Sequence, residues 1–377
     1  MGIEIRPFED TLWPAMARFL HEHWQANHPL CQKDLFYWQY RGFGPLAGVS
    51  ACRVAVGGGQ IVGFLGGIPG LYRLDGQEVP GVALALWVVV EELRNSGLGM
   101  LLMREVEKQA GVAVCLGINP KVTRYYTATG YNHLAALHRY VCPLDGDGYR
   151  QLLNDSPPPG SIERWAAEIG RGLVEVAEPR SIDGEQLAAV WQRGQDRWRL
   201  ALSRTPEFWT WRYHDAIGFQ YHWFGEPGQG GLVARLDRVR GADKPGLEDK
   251  RVLRIIEILP AAESPDDGRG SRLSRVLAGT LQWARQRGAV AADFQCSSGR
   301  LQGWLCATGF RERSCNDPTT LLPEVFDPLR RSAAPINLMV KVPGRPEIDF
   351  DAVYCVKSDG DMDRPVACTE GQSPGQA

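Results

Sequence analysis

The sequence predicts a mixed α/β fold arranged as two tandem copies of one unit. Three observations carry this expectation. First, LFYWQYR (Leu35 to Arg41) recurs as FWTWRYH (Phe208 to His214), so Trp38 matches Trp211 and Tyr40 matches Tyr213 at an offset of 173. Ile3 in IEIRPFED matches Val174 in VEVAEPRS, and Gly130 in TATGY matches Gly309 in CATGF. Ordered matches this far apart indicate tandem domains and not a solenoid. Second, each copy carries an apolar strand, a glycine-containing turn and an amphipathic helix in that order. Third, LLNDSPPPGS (Leu152 to Ser161) separates the copies, and its three prolines cannot continue a helix or a strand interior. The expected organisation is a first domain at 1–150, a Pro-rich linker at 151–170, a second domain at 171–345 and a tail at 346–377.

The first unit opens with a helix whose apolar face is Leu12, Trp13, Met16, Leu20 and Trp24. Two strands, SACRVAV and IVGFLGGI, flank the turn GGGQ. A strongly apolar strand, Ala83 to Val90, leads to a helix with Leu98, Leu101, Leu102 and Val106 on its expected buried stripe. Strand VAVCLGI, short helix KVTRYYTAT and a strand from Tyr131 close the unit. The second copy repeats the order with VLRIIEIL (Val252 to Leu259), SRLSRVLAGTLQWARQ, AVAADFQC and GRLQGWLCATGF.

Charge is nearly balanced, with 42 basic and 44 acidic residues and a net charge of −2, which argues against nucleic acid as a partner. The nine cysteines are scattered, without a CxxC pair or metal-ligand spacing, and Cys115 and Cys296 sit in apolar runs as small buried residues. No signal-peptide pattern opens the chain, and the longest apolar run, Val82 to Val90, is too short to span a bilayer. A cytoplasmic protein with reduced thiols and no membrane insertion is expected.

The stretch RNSGLG, Arg94 to Gly99, lies between the apolar strand and the next helix. At such a junction unpaired N–H groups and the positive end of the helix dipole face one point, which suits an anion. Gly97 and Gly99 let main chain approach a phosphate, and Arg94 adds a donor. The loop resembles the Arg/Gln-x-x-Gly-x-Gly/Ala pyrophosphate loop of the GNAT (GCN5-related) N-acetyltransferase superfamily, and NPKVTRYYTATGY fits the second signature of that family through Asn119, Tyr126 and Gly130-Tyr131. The resemblance covers residues 1 to about 142 closely and the second unit in outline. It implies the mixed-sheet GNAT fold, an acetyl-CoA cosubstrate, and a cofactor site made of Arg94, Asn95, Ser96, Gly97, Leu98, Gly99 and Asn119. The preceding strand would splay so that backbone N–H groups near Val89 polarise the thioester carbonyl, and Tyr126 would be the acid toward the leaving thiolate. Asn119 as a helix cap and Tyr126 as a packed aromatic are the alternatives. Tyr125 would point to another helix face.

In the second unit the corresponding stretch is PAAESPDDGRGSRLS, where Asp266 and Asp267 beside Gly268 and Gly270 would repel a pyrophosphate. The second unit is expected to be degenerate and to complete the substrate cleft. No general base is evident. ALALWVV has no carboxylate, Glu91 and Glu92 read as solvated or capping, and Glu257 in RIIEIL faces a cleft or an ion pair. His21 and His23, two apart on a helix, cannot chelate together, so no metal is expected, and one histidine of HEHWQANH is a candidate for lining the substrate site. Asp359, Asp361, Asp363 and Glu370 have EF-hand spacing, but Arg364 replaces the needed glycine, and a solvated tail is expected.

A looser resemblance links the tandem W-x-Y elements and SDGDMDRP to GNAT-type proteins of bacterial surface-polysaccharide clusters. It implies N-acetylation of a small-molecule amine, an amino sugar in particular. A non-catalytic CoA-binding scaffold and a Fem-like aminoacyl transferase are the competing readings. The oligomeric state is not legible.

Overall fold

A long hairpin organises the first half of the chain. The computed structural model describes residues 2–108, 110–154, 157–172, 174–226, 230–260, 271–331 and 334–366. The first half runs β1 (Ile3–Pro7), α1 (Trp13–His23), α2 (Lys33–Tyr40), β2 (Arg53–Gly57), β3 (Gln60–Leu74), β4 (Gln77–Val89), α3 (Leu98–Glu107), β5 (Val112–Leu116), α4 (Thr123–Ala128), β6 (Asn132–Leu134) and β7 (His138–Pro143). Helices α5 (Gly146–Leu152) and α6 (Ser161–Gly172) follow, so most of the expected linker is helical and Ile162, Trp165 and Ile169 are buried. The prolines only separate two helices. The second half runs α7 (Gly184–Gly194), β8 (Leu200–Leu202), α8 (Pro206–Trp209), β9 (His222–Glu226), β10 (Gly230–Arg238), β11 (Arg251–Leu259), α9 (Arg272–Gln286), β12 (Ala289–Cys296), α10 (Gln302–Ala307), β13 (Arg311–Glu312), β14 (Val325–Phe326), β15 (Leu329–Arg330), β16 (Leu338–Lys341) and β17 (Val353–Tyr354).

Two mixed sheets result, and each takes a strand from the other half. The first has the order β1-β2-β3-β4-β5-β16-β6, with β8 on the far end of β3 and β17 on β8. The second has the order β13-β7-β12-β11-β10-β9. Thus β16, late in the chain, pairs antiparallel with both β5 and β6, while β7 pairs antiparallel with β12 and β13. Strand β16 covers an edge that β5 would otherwise leave unpaired, and its Leu338, Met339 and Val340 are fully buried.

The sequence repeat has direct structural counterparts. Trp38 Nε1 donates to the Trp211 carbonyl at 3.0 Å, and Trp211 Nε1 donates to the Trp38 carbonyl at 2.7 Å. Gly130 and Gly309 end α4 and α10 with φ of +90° and +92°, a left-handed conformation that favours glycine.

Two expected faces shift slightly. Helix α3 buries Leu98, Leu102, Met103 and Val106, whereas Leu101 is 50% exposed, one residue off the stripe. Trp24 follows the end of α1 and is likewise 50% exposed.

Residues 346–366 are not a solvated tail. Asp359 bonds Arg204 at 2.8 Å, Asp363 bonds Arg235 at 2.5 Å and accepts from the Tyr221 hydroxyl at 2.7 Å, and all of these groups are buried. Buried arginines need anionic partners, and this segment supplies them. Asp359 and Asp363 face different arginines and share no centre, and Glu370 lies outside the described residues.

Candidate active site

The RNSGLG loop is open. Gly97 has φ of +81°, immediately before α3, and nothing lies within 4 Å of where a Cβ would stand. Ser96 Oγ donates to the Leu93 carbonyl at 2.7 Å and accepts from Leu98 N at 3.3 Å, fixing the turn. The N–H groups of Asn95, Gly97 and Gly99 have no acceptor among the described residues. Three free donors at alternate positions, at the N-terminus of a ten-residue helix, are an arrangement that could cradle an anion. Arg94 is exposed beside it, with Nε donating to the Val89 carbonyl at 3.3 Å.

Gly99 also serves the packing of the loop on β4: a Cβ there would lie 2.6 Å from the Trp87 ring, so its missing side chain admits an indole from β4. Trp87 in turn meets Tyr126 edge-on, with ring centroids 5.8 Å apart.

The sheet opens beside this loop. Strands β4 and β5 pair in parallel from Gly81–Val112 to Leu84–Cys115 and then part. Just beyond the last pair, Leu86 adopts φ of +58° at a bulge opposite Leu65 and Gly66. A bulge bends its strand and re-aims the groups after it. Val90 N donates to the Val62 carbonyl at 3.0 Å, so the Gly63–Val89 pair is of the non-hydrogen-bonded type. Val89 therefore turns its N–H away from β3, toward the edge that β5 has left. Beyond β5 the chain is held by Asn337, whose side chain accepts from Ile118 N at 2.7 Å and donates to the Ile118 carbonyl at 2.9 Å.

Tyr126 is 2% exposed, with its hydroxyl 3.7 Å from Cys115 Sγ and its ring edge-on to Tyr131. Burial, reinforced by Cys115, pushes its pKa far up, so the phenol keeps its proton. Burial also pushes the Cys115 thiol up to about 12, against the Tyr126 hydrogen bond, so it is no thiolate nucleophile. Tyr125 is exposed against Arg124. Asn119 is exposed, and its Oδ1 accepts from Lys121 N at 3.0 Å, so it caps the turn leading to α4.

The opposite face of the opening holds residues that sequence reasoning missed. Gly360 packs on Leu116, and Met362 packs on Gly117, which places Asp361 over the end of β5. Its charge adds to the burial that raises the pKa of Tyr40, Cys115 and Tyr126. Arg364 lies 3.6 Å from Asp361 and 3.2 Å from His28 Nε2. Burial and Arg364 lower the His28 pKa to about 3, so this histidine of HEHWQANH is a neutral prop. The sequence signal for Asp361 was local, the arginine three residues on that it faces.

The corresponding opening in the second sheet is filled. Glu257 is fully buried; it accepts from the Tyr213 hydroxyl at 2.8 Å and the Tyr354 hydroxyl at 2.7 Å, and pairs with Arg204 at 3.0 Å. The Tyr354 hydroxyl also accepts from Ile258 N at 3.2 Å, occupying main chain on β11. Glu257 is therefore part of an ion-pair network. The stretch 261–270, with Asp266 and Asp267, lies outside the described residues.

No protein-family model matches the chain, and no curated protein matches it. Solved structures do. A Saccharomyces cerevisiae N-myristoyltransferase with bound myristoyl-CoA matches at TM-score 0.56 and 14% identity, over 90% of this chain and 82% of that one. GCN5-related N-acetyltransferases from Anabaena variabilis and Kribbella flavida each match at TM-score 0.52 and 14% identity, over 90% of this chain and 73% and 71% of theirs. The chain has the mixed α/β fold of the GCN5-related N-acyltransferases.

Proposed function

We propose that the protein is an acyl-CoA-dependent N-acyltransferase that moves an acetyl group from acetyl-CoA to a primary amine, an amino sugar of polysaccharide biosynthesis being the favoured acceptor, in the cytoplasm. One observation carries the reading: a cradle of three free N–H groups adjoins a sheet opening into which Val89 turns an amide and against which Tyr126 lies. The cradle residues Asn95, Gly97 and Gly99, with Arg94, would hold the diphosphate. Val89 N–H would meet the carbonyl oxygen as charge develops on it, the usual largest electrostatic contribution in acyl transfer. Tyr126, held protonated, would supply the proton that the leaving sulfur needs. Tight packing of Trp87, Cys115, Tyr126 and Tyr131 favours a short acyl group. The first unit would carry the chemistry, since Tyr354 and Glu257 fill the second unit's opening. That no described helix is long and apolar enough to cross a membrane is compatible with this reading.

The test is amine-dependent release of free thiol from acetyl-CoA over a panel of primary amines that includes glucosamine. Release that requires amine and falls at least tenfold in Tyr126→Phe supports the proposal. No amine-dependent release, with acetyl-CoA still bound, favours a CoA-binding scaffold.

A further inference from the structure

Buried polar atoms without partners are rare, and each calls for a reason. Several gather on the α2 side of the sheet opening. Gln39 is 2% exposed; neither its amide oxygen nor its amide nitrogen makes a well-formed hydrogen bond, and its side chain lies close to the Tyr40 hydroxyl. The hydroxyl of Tyr40, which is 1% exposed, and Nε of Arg364 likewise make no well-formed hydrogen bond. The Tyr40 hydroxyl lies 2.6 Å from where a Cβ on Gly66 would stand, directly at the bulge of β4. Gly66 thus admits that hydroxyl to the main chain where β4 and β5 part. Asp361 stands over the other lip, held by Gly360 on Leu116 and Met362 on Gly117.

The two faces of the opening differ. Leu86, Val88 and Leu116 face the core under α1 and α2, together with Tyr40. Val89, Cys115 and Tyr126 face the core under α3 and α4, next to the glycine loop. A thioester held by that loop meets Tyr126 on one face, and a nucleophile arriving from the other face meets Asp361.

We infer that the α2 face is the acceptor site for a small polar amine, with Asp361 taking the proton from its nitrogen and Gln39, Tyr40 and Arg364 hydrogen-bonding its polar substituents. This rests on the acyl-CoA reading. Asp361 takes a proton from the ammonium, and the freed amine attacks the thioester carbon. The C–N bond forms, the tetrahedral intermediate collapses and the C–S bond breaks. Over the reaction the nitrogen sheds two protons, the sulfur gains one and one is released to water. The orphaned donors and acceptors then acquire partners from the bound amine.

Calorimetry with acetyl-CoA and pH–rate profiles with the amine panel, on wild type, Asp361→Asn and Asp361→Glu, test this. The expected result is unchanged acetyl-CoA affinity in all three and at least a hundredfold fall in kcat for Asp361→Asn near neutral pH. Its rate should climb with pH until the amine itself is neutral, and Asp361→Glu should recover part of the loss. Gln39→Leu should raise the KM for the amine about tenfold and leave that for acetyl-CoA alone. Acetyl-CoA binding with an unchanged Asp361→Asn profile overturns this inference only. Failure of the wild type to bind acetyl-CoA overturns the donor reading and this inference with it.

Discussion

Trp38 and Trp211 stand 173 residues apart and each donates its indole N–H to the other's main-chain carbonyl, with ring centroids 5.6 Å apart. The two indoles matched by the sequence repeat thus meet each other directly. Trp211 also stacks on Phe43 at 4.4 Å, so it carries more of the seam than its partner. Trp38→Phe should cost about 1 kcal/mol, one net hydrogen bond. Trp211→Ala should cost about 3–5 kcal/mol. Urea denaturation of both single variants and the double variant measures these values, and the pair should be non-additive because the residues touch.

The exchanged strands make each half depend on the other. A fragment 1–154 lacks β16 and leaves β5 and β6 without the strand between them, while β7 has no sheet to join. Neither this fragment nor 157–377 should melt cooperatively alone, and mixing the two should restore a folded complex on size exclusion with a single transition by circular dichroism. A cooperative transition in 1–154 alone would contradict the interdependence.

How far the sequence could be read follows from the range of each contact. The glycine loop, Gly130 and the cap at Asn119 are set by neighbours a few residues away, and the patterns announce them. Trp38 and Trp211 were legible as a repeat, but no pattern says that β7 and β16 would change sheets, because pairing partners are chosen by edges that exist only in the folded chain. SDGDMDRP has the composition of a solvated segment, and its Asp359 and Asp363 are buried against Arg204 and Arg235, which lie over a hundred residues earlier. The usable sign was there: arginines inside aromatic and apolar runs need anions. Gly99 was legible as part of the loop, but its packing against Trp87 was not.

Acid should release the C-terminal segment. Burial alone would raise the Asp363 pKa, but Arg235 and Arg212 overcome it and hold it at about 2, below the ordinary value of 3.8. A depressed folded value means that the stabilisation is complete above about pH 4 and is lost as pH falls toward 2. It amounts to about 2–3 kcal/mol at neutral pH. Asp363→Asn leaves Arg235 with less compensation and should cost about 3–5 kcal/mol. Its stability should fall less steeply between pH 4 and 2 than the wild type's, as read from urea midpoints.

Gln39→Leu offers a trade between stability and function. Replacing a buried amide that lacks well-formed hydrogen bonds with an apolar side chain removes a desolvation penalty of about 1–3 kcal/mol. The variant should therefore have a raised melting temperature while handling the amine poorly. A lowered melting temperature would show that Gln39 is tied into the core and not kept for a ligand.

The cradle is the claim on which the rest depends, and titration calorimetry of acetyl-CoA into the full chain tests it most directly. Wild type should bind with a single site, and Gly97→Glu, which sets a carboxylate at the cradle and a side chain at φ of +81°, should weaken binding at least a hundredfold with the fold retained. Equal affinity in the two proteins, or no heat of binding in either, would contradict the account.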